Sequence, residues 1–313
     1  MLKQAFIYSI IFVAIVFKLS IFPMFNSGDT ALGSKAHPIK IMLTPSVEAN
    51  KVTTSADALV EYLHQKTGLF YTASVPSSFM VVVESFGSGA ADIALTNTFS
   101  YVLAHEKYGA EAAMMVLRRH GEKTYRGQII TRSDNGIASL NDLQGKSFAY
   151  VDAASTSGYI LPKALLEQRK ITPSQIVFGN KHDIVVTMVY QKQVDAGATY
   201  YSAPDTATKE YLDARVRVKR QFPDVFEKVK ILELTEEIPN DPLVFRKNFP
   251  TDIRNLIIKS LIEFQQTPKG KTVLFDTYSI EGLIPTHDSN YETLRTMIRK
   301  YGGDVQAVLA RKK

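Results

Sequence analysis

The sequence predicts an α/β protein made of two similar halves. Three observations carry that expectation. Short apolar strands alternate with amphipathic helices along most of the chain, the pattern of βα units and largely parallel sheets. A short motif recurs: Asp92-Ile93-Ala94-Leu95-Thr96 is echoed by Asp195-Ala196-Gly197-Ala198-Thr199, each opening a strand after a helical segment. The length of 313 residues, 45% of them hydrophobic, supports about two domains with sizeable cores.

The elements follow in order. After a small, polar linker at 26–38 comes a strand at 39–43. A helix over 51–66 places Leu59 and Leu63 on one face, and Gly68 suits its C-terminal cap. A strand at 70–75, a helix at 79–86 and a strand at 93–96 complete the first run. The second begins with a strand at 128–131 and a capped turn at 139–146. A strand at 147–151, a helix from Gly158, a strand at 176–178 and a helix at 182–191 follow. A strand at 229–234 and helices at 251–266, 268–275 and 288–301 close the chain.

Composition narrows the function. The formal net charge is +6, spread along the chain in pairs such as Arg118-Arg119 and Lys219-Arg220 rather than in a basic block. That distribution does not indicate a nucleic-acid surface, but a modest positive balance suits an anionic ligand. With no cysteine, thiol catalysis, disulfides, Cys-ligated metals and a lipidated N-terminus are excluded. Six scattered histidines show no metal-ligand spacing, and no serine-nucleophile, zinc-protease, phosphate-loop or dinucleotide motif is present. No cofactor is implied. Lys3 precedes an apolar run from Ala5 to Phe17, extended beyond Lys18 by 19–25. This reads as a signal peptide, with Ser34-Lys35-Ala36 as a candidate cleavage site, or as an uncleaved membrane anchor.

One stretch stands out. Asp152-Ala153-Ala154-Ser155-Thr156-Ser157-Gly158-Tyr159 joins a strand to a helix with Pro162 in its first turn. Ser and Thr there can simply cap the helix. They can also add hydroxyl donors to the free N–H groups and positive dipole end of a helix N-terminus, which bind anions. Open α/β sheets bind ligands beyond the carboxyl ends of their strands. That rule selects four hydroxyl-rich loops: Thr44-Pro45-Ser46, Thr96-Asn97-Thr98, 152–158 with its 155–157 triplet, and Thr199-Tyr200-Tyr201 to Asp205.

The stretches "DAASTSGYILP" (152–162), "HDIVVTMVYQKQVDAGATYYSAPD" (182–205) and "EIPNDPLVFRKNFP" (237–250) resemble the PhnD-like family. Its members are substrate-binding proteins of ABC importers for phosphate, phosphite and phosphonates. The resemblance runs from about Ile39 to Tyr301. It implies a type II periplasmic-binding-protein fold: two α/β lobes, a two-strand hinge and a ligand cleft between them. The first lobe would hold 37–128 and 236–285 and the second 129–235, with 286–313 as a C-terminal helix and tail and 1–36 as the export or anchor segment. The crossings would lie near 128–132 and 231–235. It implies that Ser155, Thr156 and Ser157 bind the oxyanion, that Tyr101 helps from the first lobe, and that His182 or Asp205 accepts from a protonated ligand oxygen. Tyr200 would wall the cleft. The implied partners are a small phosphorus oxyanion and a membrane permease, and the location is extracytoplasmic. A membrane-tethered sensor, or an enzyme on the same bilobal fold, is the alternative.

Overall fold

The apolar strands assemble into two sheets. The computed structural model describes residues 30–45 and 49–300. The export or anchor segment as far as residue 29, and the tail from residue 301, lie outside the described residues. Among the described residues no helix is long and apolar enough to cross a membrane.

The chain enters the first sheet through β1 (Ile39–Leu43), α1 (Ala49–Thr67), β2 (Tyr71–Ser74), α2 (Phe79–Ser88), β3 (Ile93–Leu95), α3 (Thr98–Tyr108) and β4 (Glu111–Leu117). Gly68, at φ +72°, ends α1 by donating its N–H to His64, the left-handed cap expected from the sequence. The second sheet is built from β5 (Thr124–Arg132), β6 (Ser147–Tyr150), α4 (Leu161–Gln168), β7 (Gln175–Phe178), α5 (His182–Tyr190), β8 (Ala196–Tyr201) and β9 (Val229–Pro239). The chain then returns to the first sheet with β10 (Pro242–Phe245), α6 (Thr251–Phe264), α7 (Pro268–Tyr278) and β11 (Gly282–Pro285). The last described element is α8 (Glu292–Lys300).

The sheet orders are β11-β4-β10-β3-β1-β2 and β7-β6-β8-β5-β9. In each, three parallel strands (β2-β1-β3 and β7-β6-β8) carry βαβ crossovers, and an antiparallel strand (β10 or β5) pairs with the third. The two halves are therefore built alike. The repeated aspartates mark equivalent points. Asp92 accepts the N–H of Lys40 on β1 at 3.0 Å, and Asp195 accepts the N–H of Ser147 on β6 at 2.9 Å. Each carboxylate clamps a neighbouring strand.

Separate apolar cores lie against the two sheets, one around Leu43, Leu63, Phe245 and Phe264, the other around Ile129, Phe148 and Leu166. A third cluster, with Phe79, Phe99, Val151 and Leu161, runs from one lobe into the other. β5 and β9 pair from Thr124↔Pro239 to Arg132↔Val229, so both lie wholly in the second sheet. The chain passes between sheets at 118–123 and 240–241, nearer the first sheet than the sequence suggested. Buried Asn240 ties the two passages together: its amide donates to Val116 O (3.1 Å) and Glu122 O (2.8 Å), and its N–H to Lys123 O (2.9 Å).

Candidate functional site

A cleft lies between the lobes where strands of both sheets end. Thr44 follows β1, Thr96 and Asn97 follow β3, Ser155 and Ser157 follow β6, and His182 and Tyr200 come from α5 and β8. The carboxyl-end rule for open α/β sheets thus locates the site.

The serine cradle is made locally. Asp152 Oδ1 accepts the Ala154 N–H at 2.8 Å, and Asp152 O accepts that of Ser155 at 2.9 Å, which turns the chain sharply after β6. Ser155 Oγ accepts the Gly158 N–H at 3.1 Å. A π-type turn, Thr156–Ile160, then leads into α4, with Pro162 in its first turn. Two glycines make this close packing possible. A Cβ on Gly158 would stand 2.5 Å from Val151 Cγ2, and one on Gly127 of β5 would stand 2.9 Å from Ser157 O. Ser155 and Ser157 face the cleft with only 1% and 3% of their surface exposed. Thr156 turns the other way. Its Oγ1 accepts from Phe99 N at 2.8 Å and donates to Asn97 Oδ1 at 2.9 Å. The triplet therefore divides, with two hydroxyls toward the cleft and one docking the lobes. Two further bonds join the lobes here: Phe79 N–H donates to Asp152 Oδ2 at 3.2 Å, and Ser100 Oγ to Ala154 O at 3.3 Å.

Facing the cradle are Tyr125, Thr96 and Asp241. Burial, and then the charge of Asp241, push the Tyr125 hydroxyl far up, so it stays protonated as a donor beside Ser157. Asp241 is paired through Oδ2 with Arg118 at 3.0 Å, while burial raises its pKa. Of the buried side-chain oxygens that have no partner among the described residues, two belong to cleft residues, Asp241 Oδ1 and Thr96 Oγ1. A buried polar atom without a partner is costly, and both belong to residues that line the cleft.

His182 is a donor here rather than an acceptor. The Tyr200 backbone N–H donates to its Nδ1 at 3.3 Å, which in the neutral ring leaves the hydrogen on Nε2. Burial first, and the charge of Arg217 second, lower its pKa to about 3. Tyr200 packs edge-on against the imidazole at 5.0 Å, and its hydroxyl accepts from Arg217 Nε at 3.1 Å.

Other expected residues are placed differently. Tyr101 is fully buried on α3 and does not line the cleft: its hydroxyl donates to Asp288 at 2.6 Å, and its ring packs on Tyr291 at 4.9 Å. Apolar surroundings turn it into the core. Asp205 also stands outside the lining, where it accepts from Arg119 at 2.9 Å and from the N–H groups of Ala207 and Thr208. Those backbone bonds, Thr208 first, depress its pKa and commit its carboxylate to an ion pair between the lobes. Thr44 and Asn97 do line the cleft, but Thr44 Oγ1 donates to Leu95 O at 3.0 Å. Asn97 Oδ1 caps α3 through Phe99 N and Ser100 N. Thr96 lies in a loop the sequence selected, whereas sequence reasoning missed Arg118, Tyr125, Arg217 and Asp241. Only Asp241 had a signal, as an acid held between Pro239 and Pro242.

Two lobes meet at a cleft lined with hydroxyl donors, with a serine cradle on one wall, an arrangement suited to a small polar ligand. The family model described as the periplasmic phosphonate substrate-binding protein of ABC transporters matches residues 41–291. The chain belongs to that family. Among curated proteins it is similar to the phosphonates-binding periplasmic protein of Escherichia coli, 25% identical over 219 residues, covering 68% of this chain and 62% of that protein. It is also similar to the phosphate-import protein PhnD of Mycolicibacterium smegmatis, 26% identical over 184 residues, covering 53% of this chain and 56% of that protein. The matched part thus spans less than two thirds of either relative. Among solved structures, a binding protein component of an ABC phosphonate transporter from Pseudomonas aeruginosa superposes with a TM-score of 0.74. Its identity is 18%, covering 85% of this chain and 87% of that one. PhnD1 of Prochlorococcus marinus, solved with methylphosphonate, gives 0.70 at 15% identity, covering 85% and 98%. At these identities the structural likeness concerns the fold.

Proposed function

We propose that this protein captures a phosphorus oxyanion, a phosphonate, phosphite or phosphate, in the cleft and presents it to the permease of an ABC importer outside the cytoplasm. The observation that carries this reading is the pairing of the Ser155/Ser157 cradle with the unpartnered oxygens of Thr96 and Asp241. Ser155, Ser157, Thr96, Tyr125 and the Nε2–H of His182 supply donors for phosphoryl oxygens. Asp241 Oδ1 supplies the acceptor that a protonated P–OH needs, the role the sequence assigned to His182 or Asp205. Capture requires no covalent chemistry and no cofactor. The lobes close about the hinge at Asn240, and Asp152, Thr156 and Ser100 hold the closed form. The segment before residue 30 serves export or tethering.

A thermal-shift screen of the full-length chain tests this. Phosphate, phosphite, methylphosphonate and 2-aminoethylphosphonate are the ligands, with sulfate as control. Ligand binding to the folded state raises the midpoint by mass action. At least one phosphorus compound should raise it and sulfate should not. No shift with any of the four would sink the proposal and restore Ser155–Ser157 to the role of helix cap.

A further inference from the structure

Three arginines line the cleft, and one is held unlike the others. Arg118 is paired with Asp241 at 3.0 Å, and Arg119 with Asp205 at 2.9 Å and Glu210 at 3.2 Å. Arg217, part-buried on the turn Ala214–Val218, donates from Nε to the Tyr200 hydroxyl at 3.1 Å. A terminal nitrogen donates to Ser279 Oγ at 3.1 Å. Both acceptors are neutral, and no carboxylate among the described residues lies within ion-pair distance. Asp183 on the neighbouring helix acts on it through its field alone. A guanidinium offers five N–H donors in a planar fork. A cation drawn partly out of water with most of its donors free calls for an anion to replace its hydration.

The acids nearby do not cancel this charge. Glu281 is bonded to Arg119, and Glu122 makes no ion pair with Arg217. Of the three cleft arginines, Arg217 is the one with no ion pair among the described residues. On the first lobe, the residue that meets Arg217 stands apart from the point where the cradle docks. Ser279 leads into β11, whereas the cradle docks through Thr156 beside β3, and β4 and β10 lie between those two strands. Three strand spacings amount to roughly 14 Å.

We propose that Arg217 binds a second anionic group at the organic end of the ligand, so that the protein prefers phosphonates bearing a carboxylate over alkyl and aminoalkyl phosphonates. This rests on the reading of the cleft as a phosphorus oxyanion site. The Tyr200 hydroxyl, which accepts from Arg217, keeps its own hydrogen to donate to the same group.

Calorimetry on the full-length chain with methylphosphonate, 2-aminoethylphosphonate and 3-phosphonopropionate tests it. A charge-assisted contact predicts that phosphonopropionate binds about ten- to hundredfold more tightly than the other two. Arg217→Gln should abolish that advantage while leaving methylphosphonate affinity within about threefold, and Arg217→Lys should retain part of it. Retained methylphosphonate binding also shows that the variant is folded. Wild-type protein that binds methylphosphonate without preferring phosphonopropionate overturns the inference and leaves the phosphorus reading standing. Equal losses for both ligands in Arg217→Gln overturn it too, since the arginine would then serve the phosphoryl group or the fold. Wild-type protein that binds none of the three overturns the reading of the cleft itself.

Discussion

Ser155 and Ser157 reach the cleft from a single turn, whereas Thr96, Tyr125 and Asp241, facing them, come from three distant segments. The first wall is set by local bonds: Asp152 to Ala154, Ser155 to Gly158, and the glycines that let the turn pack. The second is set by how the passages between the sheets fold together, with Asn240 as their tie. The cradle consists of donors and suits any tetrahedral oxyanion. The facing wall holds an acceptor, Asp241 Oδ1, and an acceptor repels an oxyanion that carries no proton. Affinity should therefore lie with one wall and discrimination with the other.

The strongest test of that division is Ser155→Ala combined with Ser157→Ala. Each hydrogen bond to a charged group contributes about 1.5–3 kcal/mol, so affinity for every phosphorus oxyanion should fall by roughly hundredfold or more. Circular dichroism should be unchanged. Unaltered affinity by calorimetry would end the claim that the cradle binds the ligand.

Asp241→Asn comes next. It replaces an acceptor with a group that can donate, so protonated phosphorus oxyanions should weaken by about ten- to hundredfold while sulfate gains. If the ratio of phosphorus ligand to sulfate does not move, discrimination lies elsewhere.

His182 gives a pH-dependent effect on stability rather than on affinity. Its folded pKa of about 3 lies below the ordinary 6.5, so between those values the unfolded chain binds a proton that the folded one refuses. Stability is complete above about 6.5 and falls with pH below it, by up to about 1.4 kcal/mol per unit. Denaturation midpoints from pH 7 down to about 4 should fall more steeply for the wild type than for His182→Gln. Parallel curves would show that the imidazole is not held neutral.

Tyr101→Phe should matter least to the ligand. Loss of the bond to the Asp288 carboxylate costs about 1.5–3 kcal/mol of stability, and ligand affinity should stay the same. A large fall in affinity would return Tyr101 to the cleft and blur the contrast between the walls.

The contrast also explains what the sequence revealed. The cradle was legible because its residues are consecutive and its signals, a strand, Ser-Thr-Ser-Gly and Pro162, are local. The doubled βα pattern was legible for the same reason. β4, β10 and β11 were not read as strands: Glu111–Leu117 is rich in alanine and methionine, and Pro242 and Pro285 stand at strand ends. All three pair antiparallel with strands distant in the chain, which no short-range pattern encodes. Tyr125 and Arg217 escaped because only tertiary packing brings them to the cleft. Tyr101 and Asp205 were misplaced because a motif position fixes an element but not the direction a side chain takes from it.

The bonds from Phe79 N and Phe99 N to Asp152 and Thr156 have one more effect. They form between the lobes without touching a ligand, so they set how often the empty protein is shut. The measured dissociation constant is the intrinsic one divided by the competent fraction. Changes at Asp152 or Thr156 would therefore shift the working range of capture for every solute alike and leave the order of preference untouched. Sensitivity and selectivity are then separately adjustable, one at the seam between lobes and the other at Asp241 and Arg217.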